Sequence, residues 1–411
     1  MDKSRVVEAH RAMKTEKIKQ VEQATLKTFQ EEIPSIYFSD RSEEEFKKYS
    51  ENAAYTYRDL FKFPPKMFAN TNLIDFGAGT GENTISLALW GANCTLVEMN
   101  EKALAIARQV FERYAKSGQH SFVRSSIFDY DSPLKYDIVH CRGVLSHTAN
   151  KEGAFKKIAS FLKPCGYLIF GDPNKAGGFQ NMLQRFAVYR HAHSWDEMVT
   201  VCEKLFKEDI DRSQSFIGRT RRSIIFDRWV IQSQDDPSVE EVVGWLSENG
   251  LKLYSSYPPF LLPLLGDSVH HRPKFDATKT RGMASIAQTI WLLQRNGDQE
   301  NAQMLNADHI DYAKRLSTLT SYVANFNSSS SLDITKFNEL ADAAAASFRN
   351  LSILDPLKIR LREFIEEAKE FVYTVDSSNL DKIKAYISSC KHLFKGACGV
   401  RHIDFIAYKQ G

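Results

Sequence analysis

Apolar and polar positions change rhythm repeatedly between residues 72 and 172. Short apolar runs at 72–76, 94–98, 121–125, 136–141 and 166–171 read as strands. The stretches between them, notably 101–116 and 151–162, place apolar residues at helical spacing. This alternation predicts an α/β fold, a doubly wound and mostly parallel sheet covered by helices on both faces. Residues 3–32, rich in Lys, Glu, Gln and Ala, and residues 42–62 read as helices ahead of it. Beyond 172 the rhythm breaks. A turn-rich exit at 173–178 leads to a polar helical stretch through 183–210 and an apolar segment at 224–230. A helix from Ser238 to Asn249, closed by Gly250, then precedes a strand at 251–255. From about 278 to 395 the pattern is helical, interrupted by the solvated loop Asn327-Ser-Ser-Ser-Ser-Leu332. Residues 400–408 alternate like a strand and are expected to return to the sheet edge, which makes the preceding helices an insertion.

The chemistry gathers where the first strand turns into a helix. Ile74-Asp-Phe-Gly-Ala-Gly-Thr-Gly81 follows Leu73, and residues 82–90 read as a helix with Ile85, Ala88 and Leu89 on one face. Gly77, Gly79 and Gly81 allow a tight turn and let a ligand approach the main chain without meeting a Cβ. The helix that follows offers unpaired N–H groups to the same gap. Glu98, seventeen residues after Gly81, ends the second strand, where an acid can accept both hydroxyls of a ribose. Ser125-Ser-Ile-Phe-Asp129 ends the third strand and is placed to frame an adenine. The fourth strand opens into Arg142-Gly-Val-Leu-Ser-His147, and the fifth follows the turn Leu162-Lys-Pro-Cys-Gly166.

With these motifs in order, the segment from about 54 to 172 resembles a class I S-adenosylmethionine (SAM)-dependent methyltransferase, of the branch that includes quinone-biosynthesis enzymes and small-molecule methylases. The glycine turn is similar to that family's first motif and Glu98 to its ribose acid. Gly143-Val-Leu-Ser-His-Thr148 is similar to its Gly-Val-Leu-His-His-Thr segment, and the Leu162 turn to its Leu-Lys-Pro-Gly-Gly turn. Segments Phe226-Asp-Arg-Trp and Ser238-Val-Glu-Glu-Val resemble its later part, so the likeness covers about half the chain, residues 54–262 and the last strand. Cys165 departs from a common glycine, and Ser126 falls where an adenine-binding acid is frequent. The resemblance implies a Rossmann-like sheet, SAM as cofactor and S-adenosylhomocysteine as product. It implies a cofactor set of Asp75, Gly77, Ala78, Gly79, Gly81, Glu98, Met99, Ser126, Ile127, Asp129, Cys141 and Arg142. Within this set, Asp75 orients the turn, while Cys141 and Arg142 flank the methionine end. The expected divisions are N-terminal lid helices at 1–52, a SAM-binding core at 53–172, a helical lid insert at 173–219 and a core continuation at 220–262. A helical insertion domain at 276–395 and a last core strand at 397–411 complete them.

His147 is the candidate base, though a packing or cap role is slightly favoured for it, and Asp172 either contacts substrate or stabilises the turn before Pro173. Tyr55, Tyr57, Arg222 and Tyr257 are candidate substrate contacts; packing serves the tyrosines as well. The cluster Arg219, Arg221 and Arg222 suits an anionic substrate group, though a solvated face is favoured for such a run. Trp229 and Trp245 read as core, and His270 and His271 as loop. Cys390, His392, Cys398 and His402 match no standard zinc spacing, so no metal is expected. Six scattered cysteines suit free thiols in a reducing compartment. The start lacks an apolar signal region and no run reaches membrane-spanning length, which leads to the expectation of a cytoplasmic protein without a membrane partner. A net charge of +3 over 411 residues argues against nucleic acid. The expected reaction is methyl transfer to an N, O or C nucleophile of a small molecule held beneath helical insertions. A homodimer is left open, as are an RNA or protein methyltransferase and a non-methylating cyclase or lyase that uses SAM.

Overall fold

The computed structural model describes residues 3–259, 308–327, 331–351, 355–395 and 402–411. Among these, β1 (Asn72–Phe76), β2 (Asn93–Glu98), β3 (Ser121–Arg124), β4 (Tyr136–Arg142), β5 (Leu162–Pro173), β6 (Leu251–Tyr257) and β7 (His402–Lys409) form one sheet in the order β3-β2-β1-β4-β5-β7-β6. The strands β1 to β5 are parallel, and β7 runs antiparallel to both its neighbours. The chain works outward from β1 to β3 and then reverses to β4. That reversal opens a crevice at the carboxyl ends of β1 and β4, where ligands bind in folds of this type.

Alternation along the strands explains why both sheet faces are covered. Leu73, Cys94, Leu96, Ile138 and Ile169 enter one apolar core with helices α3 (Ile85–Leu89) and α4 (Glu101–Tyr114). Ile74, Phe76, Val97, Val139 and Phe170 enter the other, with α5 (Lys151–Ala159). Ahead of the sheet lie α1 (Lys3–Glu31) and α2 (Glu43–Tyr55); Ser42 and Glu45 close a capping box at the start of α2. The helix after the glycine turn is shorter than its sequence pattern predicts. It is a single stretch from Ile85 to Leu89, because residues 81–84 are drawn into turns and Glu82 is engaged elsewhere. Cys165, in the turn that opens β5, has φ +61°, the left-handed conformation that glycine tolerates best.

Between β5 and β6 lie α6 (Lys175–His191), α7 (Trp195–Leu205), α8 (Lys207–Ile217), α9 (Arg221–Ile225) and α10 (Val239–Glu248). The stretch expected to be polar and helical is divided here, and α6 is buried almost throughout. Its burial comes from tertiary contact: α6 stands at the centre of a third apolar core. Phe179, Phe186 and Trp229 meet Leu316, Phe364 and Phe371 there. Leu316 belongs to α11 (Asp308–Ala324), and Phe364 and Phe371 to α13 (Asp355–Ser377); with α12 (Ile334–Ser347) and α14 (Leu380–Ser389) these are the α-helices of the described residues between β6 and β7. The expected loop histidines His270 and His271, the start of the helical stretch and Cys398 fall outside the described residues. No helix of the described residues is long and apolar enough to cross a membrane.

The last strand does not lie at the sheet edge, as its sequence suggests, but between β5 and β6; β6 forms the edge. Its Phe405 is 1% exposed and stacks on Phe170. Phe405→Ala is expected to cost about 3–5 kcal/mol in urea unfolding, the cost of emptying a well-packed aromatic site; a loss under about 1 kcal/mol would contradict an interior strand.

Candidate functional site

At the carboxyl ends of β1 and β4 the chain encloses a cavity of about 590 Å³, within the ~300–1,000 Å³ range of small-molecule sites. The glycine turn forms its floor. Gly77 and Ala78 donate their N–H groups to the Val97 carbonyl at 2.8 and 3.2 Å, and Gly77, Gly79 and Gly81 all have positive φ, from 55° to 76°. A Cβ on Gly77 would stand 2.5 Å from Val144 Cγ2, and one on Gly79 would stand 3.0 Å from Ser35 Oγ. Glu98 reaches the turn from β2: one carboxyl oxygen accepts the Gly79 N–H at 2.9 Å and the other the Asn100 N–H at 2.7 Å. Burial pushes the Glu98 carboxyl up from its ordinary value, and these backbone donors oppose that shift.

Beneath the turn runs a buried hydrogen-bond chain. Asp75 accepts from His140 Nδ1 at 2.7 Å and from the Thr84 hydroxyl, and His140 Nε2 lies 3.1 Å from the Tyr57 hydroxyl. With Nδ1–H given to the carboxylate, Nε2 accepts the phenol proton. Burial raises the Tyr57 phenol, which keeps it a donor. This chain fixes β1, β4 and the start of α3 to one another without entering the cavity.

Two arginines line the cavity, each already paired. Arg142, at the end of β4, makes a bidentate pair with Asp404 of β7 at 2.6 and 3.1 Å. Burial alone would raise the Asp404 carboxyl, but the Arg142 guanidinium and His402 hold it well below the usual carboxylate range. Arg219 pairs with Glu82 at 3.1 Å and Asp227 at 3.2 Å. The roof is α1 and the segment after it. Thr25, Phe29 and residues 33–36 line the cavity; Asn100 donates its amide to the Phe29 carbonyl, and Thr80 its hydroxyl to the Ile36 carbonyl, both at 2.9 Å.

His147 also lines the wall, with the Phe29 ring edge-on at 5.5 Å between centroids. Its Nδ1 lies 3.0 Å from the Ser233 carbonyl. A carbonyl only accepts, so Nδ1 carries the proton and the lone pair is on Nε2. Burial lowers the imidazole from its ordinary value. Gln234, which follows Ser233, also lines the cavity; it is 3% exposed, its amide nitrogen donates to Asp236, and its carbonyl oxygen has no partner among the described residues.

The cavity brings together Gly77, Ala78, Gly79, Glu98, Met99, Ser126, Ile127, Arg142 and His147 of the expected set. Other members lie outside it. Asp75 and Cys141 are buried beneath the turn, where apolar surroundings push the Cys141 thiol well up, so this cysteine does not flank the cavity. Gly81 packs towards Phe111, and Asp129 is exposed beyond Ser126. Asp172 is buried below the wall, one oxygen accepting the Ser146 N–H at 2.9 Å, and burial drives its carboxyl well up. The expected substrate contacts are corrected by packing. Tyr57 is a core residue bonded to His140, and Tyr55 is 53% exposed on α2. Arg222 is spent on Glu31, Glu32 and Asp196, and Tyr257 is 40% exposed on the edge strand. Arg219, expected on a solvated face, is instead a cavity residue. Sequence reading missed Glu22, Gln234, Asp227 and Asp404. Of these only Asp404, a lone acid among the apolar residues of β7, carried a signal: a buried charge requires a partner. Among the described residues no cluster suited to a metal ion occurs.

Residues 49–206 match the profile of the family described as a methyltransferase domain. A ubiquinone biosynthesis O-methyltransferase of Colwellia psychrerythraea is 23% identical over 200 residues, 49% of this chain and 68% of that protein. One of the same description from Aromatoleum aromaticum is 30% identical over 108 residues, 26% of this chain. The chain spans 46% of the length of that protein, and the same share of its counterpart in Thiobacillus denitrificans. The solved magnesium protoporphyrin IX methyltransferase of Synechocystis PCC 6803 with bound SAH is 18% identical, at a TM-score of 0.32 over 52% of this chain and 75% of that one.

Asp404→Asn leaves the Arg142 guanidinium without a charged partner, and a cost of about 3–5 kcal/mol at pH 7 is expected. The folded-state carboxyl lies below its unfolded value, so the pair stabilises above the unfolded value of ~3.9 and loses this as pH falls further. Melts of both proteins at pH 7 and pH 3 should show the gap narrowing in acid; a constant gap would remove the ion pair as its cause.

Proposed function

We propose that this chain, whose residues 49–206 match the methyltransferase-domain family, is a class I SAM-dependent enzyme that transfers a methyl group from SAM to a small molecule held in the roofed cavity. One observation carries the reading. A single cavity is lined both by the half-buried Glu98 carboxylate, bound to the glycine floor, and by the His147 imidazole, whose Nδ1–H is given to Ser233 so that the lone pair is on Nε2.

The residues present fit the cofactor. Gly77 and Gly79 keep the floor open where a Cβ would close it. Glu98 would receive the ribose hydroxyls and Ile127 and Phe128 would cover the adenine, with Ser126 beside it in place of the more usual acid; all four line the cavity. When bound, SAM supplies a methyl group already activated by the sulfonium, and the electron pair of the broken C–S bond stays on sulfur. The chain's own work is therefore positioning and proton removal. An acceptor hydroxyl beside His147 gives its oxygen lone pair to the new O–C bond and its proton to Nε2. The Ser233 carbonyl steadies the imidazole and stabilises its protonated form. A cavity closed over by α1 suits an acceptor of small size rather than a nucleic-acid or protein strand.

Gly79→Val puts a β-branched side chain at φ +55° against Ser35, and calorimetry is expected to find binding of S-adenosylhomocysteine lost. Retained affinity would sink the cofactor assignment. His147→Ala should leave that affinity in place and slow turnover by about 10²–10⁴-fold. Because burial lowers the His147 imidazole and the neutral form is the base, the acid limb of kcat/KM should fall below the ordinary imidazole range. An acid limb unchanged in the His147→Ala protein would point to another base.

A further inference from the structure

The roof helix carries a charge into the cavity that the methyl-transfer reading leaves unused. Glu22, Thr25, Leu26 and Phe29 recur at helical spacing on α1, and all four line the cavity. Leu26 and Phe29 give apolar cover, and the Thr25 hydroxyl is given to the His147 carbonyl. Glu22, the charged member of this stripe, is half-buried and faces the segment that follows β3, where Ser126 and Asp129 are its neighbours. Burial raises the Glu22 carboxyl from its ordinary value; the Ser126 hydroxyl opposes that shift, Asp129 adds to it, and Lys19, one turn earlier on α1, offsets part. The Ser126 oxygen accepts the Asp129 N–H at 3.1 Å, so its proton is directed to the Glu22 carboxylate. A partly desolvated carboxylate beside a second acid is stabilised by any ligand group that brings further N–H donors.

The Glu98 carbonyl accepts the Ser125 N–H at 3.2 Å, so the segment carrying Ser126, Ile127 and Phe128 begins beside the acid assigned to the ribose. A base attached to that ribose extends along this segment and under Glu22. Adenine presents an exocyclic amine, which donates, where hypoxanthine and guanine present a carbonyl, which accepts. The other two acids near this end are not placed to meet the amine. Glu98 holds the Gly79 and Asn100 N–H groups, and Asp129 is exposed outside the cavity. We propose that Glu22 reads the base of the cofactor: its carboxylate accepts an N–H of the adenine amine, which makes α1 part of the cofactor site as well as its cover. The inference rests on SAM as the ligand of this cavity and adds the residue that distinguishes adenine from the other purines. A carboxylate cannot donate, so the same group attracts the amine and repels a carbonyl at that ring position.

The test is calorimetry on the full chain with S-adenosylhomocysteine and with S-inosylhomocysteine, which carries hypoxanthine in place of adenine. The unaltered protein is expected to prefer the adenine ligand. Glu22→Ala, a change that keeps α1 helical, should weaken S-adenosylhomocysteine about 10- to 100-fold, the effect of losing one charged hydrogen bond. It should leave S-inosylhomocysteine nearly as before, so the preference shrinks by the same factor. Glu22→Gln offers a carbonyl to adenine or an N–H to hypoxanthine and should bind the two ligands with similar affinity. An unaltered protein indifferent to the base overturns the inference. So does an equal loss of both ligands in Glu22→Ala, which would make Glu22 a roof residue alone, or a preference that survives in both variants. An unaltered protein that binds neither ligand instead removes SAM from the cavity, and with it the reading on which the inference rests.

Discussion

The pair between Arg142 and Asp404 joins the two ends of the fold. Arg142 closes β4 at the mouth of the cavity, and Asp404 arrives on the last strand, after all the helices that follow β6. Two opposite charges taken out of water are costly apart and tolerable only in a fixed bidentate geometry. β7 must therefore enter between β5 and β6 in a register that sets Asp404 opposite Gly171, which it does. Gly171 is required by the same contact, since a Cβ there would collide with the Asp404 carboxylate. One ion pair thus ties the position of the C-terminal strand to the shape of the site.

A second constraint works from below. The chain of Thr84, Asp75, His140 and Tyr57 lies out of reach of water, and every member has a partner. Fully satisfied buried networks specify one arrangement because each alternative leaves a polar group unpaired. The floor of the cavity rests on this chain, so the turn is held in place before any ligand arrives. That fixes the floor, while α1, the 219–236 segment and His402 shape the remainder.

The core was legible because its information is local. Strand and helix periods, three glycines at positive φ and an acid at a strand end depend on nearby residues, and the parallel sheet from β1 to β5 follows from them. What was not legible depends on distant partners. Gln234 sits in a run of polar residues that reads as loop, and only its burial against the cavity marks it. Tyr57 reads as a substrate contact or a packing residue, and only the buried His140 ring beside its hydroxyl decides for packing. Arg219 and Arg222 are near neighbours in sequence with opposite fates: the first meets Glu82 and Asp227 at the cavity, the second the acids of α1 and α7 at the surface. The polar composition of α6 concealed a buried helix because its polar groups find partners such as Asp209 and Trp229.

The roof ties two parts of the cavity to one element. Asn100 donates its amide to the Phe29 carbonyl of α1, and Thr25, one helical turn earlier, donates its hydroxyl to the His147 carbonyl. The glycine floor and the His147 wall therefore do not vary independently: a substitution that shifts the last turns of α1 reaches both at once.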